Sequence, residues 1–425
     1  MSPKKRIVFF SQHFLGVGHH FRNFQIVRAL AKSYKVYFVD GGREVHRIDI
    51  PSVTTISLPT LFKDLESQRI VCEDPKFSLR KAQEKRKQIL LEKIAQIQPD
   101  IFVIELFPFA RSILYKELIP AIQKARAINP KAKVICSLRE IIRKTPEKEL
   151  STKKPPHPET LFFIPRMIWY AVSFWRKDEK NKRLARLYYE RVVPVLNRYF
   201  DYVLVHGDPR LFQLESFFPW IEKIEIPVEY TGYVSEKLGS PDTDTQKMID
   251  KQGPYVLVSV GGGILGWDMI TTAVQTWKIL RENGYIQNMK MVIFVGVFMK
   301  DAEYDEIKEM CTEDFFFLSR FTNDFLQWMQ GAELSISQAG YNTCMNVLET
   351  GVKAILVPIS AERDLDQAPR AKKLSELGIA DMIRSEDLTL ERMANAILER
   401  LESLPVEHNI VLNGAERTEQ LLSSL

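Results

Sequence analysis

Short apolar runs alternate with amphipathic stretches through most of this chain. Arg6–Phe10, Val36–Val39, Ile101–Ile104, Lys133–Cys136 and Tyr202–Val205 are continuous apolar or β-branched segments, the pattern of strands buried on both faces. Between them, Phe21–Ser33, Leu79–Gln96 and Ile113–Asn129 carry apolar residues at helical spacing. The pattern restarts later in the chain. Tyr255–Val260, Met291–Val295, Glu333–Ser337 and Ala354–Val357 read as strands, and Trp267–Asn283 and Gln367–Leu377 as helices. Alternation of this kind predicts an α/β protein with two Rossmann-like, doubly wound parallel sheets. The expected units are residues 1–235 and 254–425, joined by a polar linker over 236–253 that contains Gly239, Pro241 and Gly253.

Residues 143–198 break the alternation and read as an insertion in the first unit. Arg139 to Arg198 holds 15 Lys and Arg against 7 Asp and Glu. Leu161–Trp175 within it is aromatic, but at 15 residues, with Pro165 and Arg166 inside, it is too short to span a bilayer. Such a segment either covers its own domain or lies on an anionic membrane, rings in the interface and cations at the headgroups.

The 425 residues exceed one ordinary core, which also argues for two domains. A net charge of +5 is small for this length and gives no footing for nucleic acid. Four cysteines without C-x-x-C spacing argue against a zinc site and a disulfide framework and fit a cytoplasmic location. The basic start Met1–Arg6 leads into a strand rather than a signal-peptide apolar region.

Candidate chemistry gathers at the predicted strand ends. Ile336-Ser337-Gln-Ala-Gly340-Tyr341-Asn342-Thr343 joins a strand through a Gly turn to a helix start, whose unpaired N–H groups and positive dipole end suit a diphosphate. Asp366 and Gln367 supply a carboxylate and an amide suited to sugar hydroxyls. Gly261-Gly262-Gly263 follows a strand and can offer backbone N–H groups to phosphate, but it lacks the Lys of an ATP-binding loop. Gly16-Val-Gly18-His19-His20 opens the first helix, and Phe21 stands where a dinucleotide fingerprint needs Gly. His19 either takes a proton near neutral pH or caps its helix. Glu105 ends a strand, where a carboxylate either binds an acceptor and orients a base or is a solvated acid near Arg111.

Together these motifs resemble the GT-B glycosyltransferases, specifically the family 28-like group. The similarity runs through Tyr230-Thr-Gly-Tyr233, the Gly261–Gly263 loop, Ile336–Thr343, Gly351–Pro358 and Asp366–Gly378, with Gly16–His19, Glu105–Phe109, Ser137–Glu140 and Val205–Arg210 in the first half. The resemblance implies a GT-B architecture, two Rossmann-like domains facing across a cleft. It implies inverting transfer of a sugar from a nucleoside diphosphate, UDP or dTDP, to an acceptor hydroxyl, with no cofactor and no metal. His19 would be the base, with Glu105 beside it. Gly261, Gly262, Gly263, Ser337, Gly340, Tyr341, Asn342 and Thr343 would surround the donor diphosphate, Phe321 the base, Asn346 the ribose, and Asp366 and Gln367 the sugar. Gly16, Gly18, His20 and Arg139 would face the acceptor, an apolar or lipid-linked molecule by the aromatic insertion. Asn346 departs from the pattern, which has Glu at this position; Glu349 lies one turn further on. A nucleotide-sugar-binding protein without turnover and a nucleotide-sugar epimerase are the alternative readings.

Overall fold

In the computed structural model the described residues are 4–14, 18–43, 50, 52–64, 67, 69–142, 189–359 and 366–425, with the side chain of His19 also outside this set. The basic-aromatic stretch 143–188 therefore lies outside the described residues. Two parallel sheets carry the fold.

The first sheet contains β1 (Arg6–Ser11), β2 (Lys35–Asp40), β3 (Val53–Ser57), β6 (Ile101–Glu105), β7 (Lys133–Arg139), β8 (Tyr202–His206) and β9 (Val228–Tyr230), in the order β3-β2-β1-β6-β7-β8-β9. A small antiparallel pair, β4 (Leu61–Lys63) with β5 (Ile70–Cys72), sits beside it. Helices α1 (Gly18–Ser33), α2 (Leu79–Ile97) and α3 (Tyr115–Ile128) pack on it, together with the helical residues 189–199. The central strands β1, β6, β7 and β8 are apolar and almost wholly buried, because helices cover both faces.

The second sheet runs β12 (Phe316–Ser319), β11 (Lys290–Phe294), β10 (Tyr255–Ser259), β13 (Leu334–Gln338), β14 (Ala354–Val357), β15 (Ala380–Met382). Its helices are α4 (Thr243–Asp250), α5 (Trp267–Glu282), α6 (Asp301–Met310), α7 (Phe325–Gln330), α8 (Tyr341–Thr350), α9 (Gln367–Glu376) and α10 (Leu390–Glu402). The stretch expected to be a linker thus contains a helix, α4, capped by Asp242 accepting from the backbone N–H groups of Asp244 and Thr245. Trp277 and Trp328 are the largest side chains buried in this half, on opposite faces of the sheet.

The last helix, α11 (Gly414–Ser423), returns to pack on α1 of the first half. The chain crosses between the halves twice, and the crossings touch: Val234 bridges Asn413, the Tyr233 N–H donates to Val411 O at 2.8 Å, and the Gly414 N–H to Tyr233 O at 2.8 Å. Gly414 is required by close approach, because a Cβ there would stand 2.4 Å from Gly232 O.

Candidate functional site

Strand order locates the crevices. The first sheet reverses direction of growth between β1 and β6, the second between β10 and β13. Ligands of such sheets bind beyond the carboxyl ends of the strands at these switch points. Glu105 ends β6, and the Gly261–Gly263 loop and the Gly340–Thr343 turn follow β10 and β13.

On the second sheet, Gly263 needs to be glycine: its φ is 85° and a Cβ would stand 2.3 Å from Val295 O. Its N–H donates to Val260 O at 3.2 Å, so within the loop the amides of Gly261 and Gly262 are the ones placed for a ligand. Gly340 caps α8 with φ −61° and no side-chain hydrogen bond, leaving the first-turn N–H groups of Tyr341, Asn342 and Thr343 at the helix start. Ser337 is fully buried, its hydroxyl hydrogen-bonded at 2.8 Å to Ser259 and to Ser335 inside the sheet. It braces β10 to β13 and does not face a ligand. Phe321 follows β12 and is exposed.

Asn346 lies on α8 and is partly exposed. Glu349, the nearest acid to replace the expected ribose ligand, is engaged elsewhere: it accepts from Ser235 Oγ at 2.8 Å and Lys237 Nζ at 3.0 Å. That carboxylate holds the first crossing segment, so of the two polar side chains Glu349 is already committed to a structural contact.

Asp366 and Gln367 open α9 and are nearly buried. Arg139 Nη1 donates to Asp366 Oδ2 at 3.2 Å, and Arg370 Nη2 to the same oxygen at 3.0 Å. Arg370 also donates to Glu140 Oε1, from Nε at 3.1 Å and Nη2 at 2.9 Å. Arg139 and Glu140 come from the end of β7, so this ion network bridges the halves. Arg139, expected beside the acceptor, is thus bonded to the predicted sugar ligand. The Gln367 side-chain oxygen accepts from the Ile359 N–H at 3.2 Å.

Tyr341 is a pillar of the same junction. The faces of its ring meet Arg22 (5.7 Å) and Arg370 (5.3 Å), and its hydroxyl accepts from the Val234 N–H at 3.0 Å. Arg22, on α1, forms a buried ion pair with Glu105 at 2.8 Å. Glu105 is therefore not a solvated strand-end acid. Arg22, Glu140 and Arg370 were not among the expected site residues. Their signals were positional: Arg22 lies three residues after His19, Glu140 directly follows Arg139, and Arg370 is four residues after Asp366 on a helix.

Gly16 and the side chain of His19 lie outside the described residues; Gly18 and the His19 backbone form the start of α1. His20, expected to face the acceptor, is buried with its Nδ1 3.6 Å from Asp40 Oδ2, walled by Phe24 and Phe38. Burial, with His13 nearby, holds its pKa down to about 3, and burial pushes Asp40 up to about 6. His206, at the end of β8, is wholly buried between Ser137 Oγ and Thr231 Oγ1, each 2.8 Å away, and burial lowers it to about 3.

Comparison with known proteins bears on the second half and on the fold. Residues 257–409 match the model of the glycosyltransferase family 28 C-terminal domain. The chain is 23% identical over 187 residues to the NDP-glycosyltransferase YjiC of Bacillus licheniformis, covering 44% of this chain and 43% of that protein. It is 28% identical over 146 residues to the UDP-N-acetylglucosamine--N-acetylmuramyl-(pentapeptide) pyrophosphoryl-undecaprenol N-acetylglucosamine transferase of Rhodopseudomonas palustris, covering 34% of this chain and 36% of that protein. The match thus spans less than half the length of either relative. The whole fold superposes on the calicheamicin glycosyltransferase CalG4 with TM-score 0.57 at 14% identity, covering 99% of this chain and 95% of the other. The architecture is GT-B.

Proposed function

We propose that this chain is an inverting glycosyltransferase that moves a sugar from a nucleoside diphosphate, UDP or dTDP, to an acceptor hydroxyl in the crevice between its two sheets. The observation that carries the reading is that the carboxyl ends of the two sheets meet in one ion network: Arg139 and Glu140, at the end of β7 in the first half, are bonded to Asp366 and Arg370 of α9 in the second. The family 28 match, which falls on the half holding the donor motifs, supports the glycosyltransferase part of this reading.

In this reading the donor diphosphate lies on the start of α8 and the Gly261–Gly262 amides, whose fixed dipoles offset charge developing on the leaving group. The acceptor oxygen forms a bond to the anomeric carbon as the bond from that carbon to the diphosphate oxygen breaks. The acceptor proton passes to His19, and the nucleoside diphosphate leaves. Glu105, already paired with Arg22, acts as a positioning residue at the base's side of the cleft. Asp366 and Gln367 meet the sugar, with Arg139 and Arg370 holding the Asp366 carboxylate in place. The acceptor is an apolar or lipid-linked alcohol, which the aromatic stretch 161–175 and the undecaprenol-linked acceptor named for the R. palustris relative both favour. Among the described residues no helix is long and apolar enough to cross a membrane, so contact with a bilayer in this reading is peripheral.

Thermal shift against UDP-, dTDP- and GDP-sugars, on wild type and Asn342→Asp, tests the donor half. One nucleotide class should stabilise the wild type saturably. The variant should keep its own melting temperature, since an acid at a helix start suits the dipole, yet bind the diphosphate at least about tenfold more weakly through like-charge repulsion. No stabilisation of folded wild type by any of these donors would overturn the reading. Binding without turnover is the second reading, favoured by the two arginines already on Asp366; donor stabilisation without release of nucleoside diphosphate in the presence of acceptor alcohols would select it.

A further inference from the structure

At the opposite flank of the first sheet's crevice, three metal-competent side chains converge without bonding to one another. His13 follows β1, Asp40 ends β2 and His20 lies in the first turns of α1. One nitrogen of each imidazole and one carboxylate oxygen all lie within 4.8 Å of one another. The closest approaches are His20 Nδ1 to Asp40 Oδ2 at 3.6 Å and His13 Nδ1 to Asp40 Oδ1 at 4.0 Å.

Two details distinguish this cluster from packed core histidines. His13 Nε2 lies 3.1 Å from the Arg43 carbonyl oxygen, which can only accept, so that nitrogen carries the proton and Nδ1 presents a lone pair toward the cluster. A backbone carbonyl on the distal nitrogen is how metal-binding imidazoles are oriented. Secondly, Nδ1 of His13 and Nδ1 of His20 are buried and have no hydrogen-bond partner, although each residue is only 4% exposed. Two buried ring nitrogens left without partners are costly unless something else satisfies them.

The surroundings are rigid. Gln12 Nε2 donates to His13 O at 2.8 Å and Leu61 O at 3.0 Å, fixing the backbone of the first ligand. The Gly42 N–H donates to Asp40 Oδ1 at 3.1 Å, which turns Oδ2 toward His20. Phe24 and Phe38 wall His20 at ring separations of 4.4 Å and 5.8 Å.

We infer that His13, His20 and Asp40 form a site for one divalent first-row transition-metal ion of zinc type, bound by two imidazoles and one carboxylate. This donor set suits zinc, cobalt or iron better than magnesium or calcium. Ligand atoms around tetrahedral zinc stand about 3.3 Å apart at bond lengths of about 2.0–2.1 Å. The present spacing closes to that by small side-chain rotations. The ion ties the ends of β1 and β2 to the start of α1, and so pins the helix on which His19 sits. It is built wholly from the first half and is separate from the donor diphosphate cradle of the second.

The test uses the full chain, free of any histidine tag, treated with chelator and titrated with Co2+ and with Zn2+. The expected result is one equivalent of Co2+ with the visible absorption of a four- or five-coordinate nitrogen–oxygen site, displaced by Zn2+, and a rise in melting temperature with either metal. Asp40→Asn, nearly isosteric, and His20→Gln should each lose more than the about 10–100-fold that an outer-shell substitution costs, with far-ultraviolet circular dichroism confirming that both remain folded. Folded wild type that shows no such band and no metal-dependent melting shift overturns the site. So does metal binding that both variants retain. Because the readouts are spectroscopic and thermal, the result is independent of the glycosyl-transfer reading.

Discussion

Glu349 and Asn346 show how much one turn of helix decides. Both lie on α8, but Glu349 is held by Ser235 and Lys237 of the crossing segment. In the proposed donor pose Asn346 meets the ribose diol with neutral hydrogen bonds, which are weaker than charge-assisted ones by about 1 kcal/mol. Asn346→Glu should therefore tighten nucleotide binding about fivefold by isothermal titration, with little change in melting temperature. Unchanged or weaker affinity would place the ribose elsewhere. His206 bears on pH dependence. Its burial between Ser137 and Thr231 lowers its folded pKa to about 3 from an unfolded value near 6.5. The unfolded chain thus binds more protons between these limits, so this contribution to stability is complete above about pH 6.5 and is lost as pH falls toward 3. The melting temperature should drop between pH 7 and 5, and His206→Gln should flatten part of that slope while lowering the value at pH 7.

At the scale of elements, the glycine turns after β10 and β13 look alike in sequence and differ in physics. Gly263 has φ 85° and no room for a side chain, while Gly340 has φ −61° and a Cβ would find Thr343 Oγ1 at 3.8 Å, an ordinary contact. Gly263→Ala should destabilise by about 2 kcal/mol or more, combining left-handed strain with the clash on Val295 O. Gly340→Ala should fold with stability within about 1 kcal/mol of wild type yet bind donor more weakly, because its methyl would enter the space before the helix start. Urea denaturation and nucleotide titration of the two variants separate these expectations; equal destabilisation would refute them. The strands of this turn chemistry were legible as apolar runs, and Ala354–Val357 appears with the expected bounds. The short edge strands β3, β9, β12 and β15 were not read, because three to five residues with partly exposed faces carry little pattern.

Across the whole molecule, the two halves are joined by buried charge as well as by chain. Arg370, 1% exposed, answers Glu140 and Asp366 together. Arg370→Ala would leave Glu140 buried without its partner and should cost about 3–5 kcal/mol, read as a lower urea midpoint. Glu140→Leu with Arg370→Met should recover most of the loss, since an apolar pair leaves no stranded charge between these two positions. A double variant as unstable as the single would mean that the network is needed for more than its own neutralisation. The apolar periodicity was sufficient for the alternation of strands and helices, the parallel class of both sheets and the strand-end placement of Glu105 and Gly261, because each follows from local burial and chain direction. The strand expected to end at Cys136 runs on to Arg139. Periodicity could not reveal which side chains meet across the crevice. The pairing of Arg139 with Asp366, of Arg22 with Glu105, the engagement of Ser337 and Glu349, and the convergence of His13, His20 and Asp40 join residues distant in sequence. They depend on how the strands are ordered and how the halves pack, which no local pattern encodes.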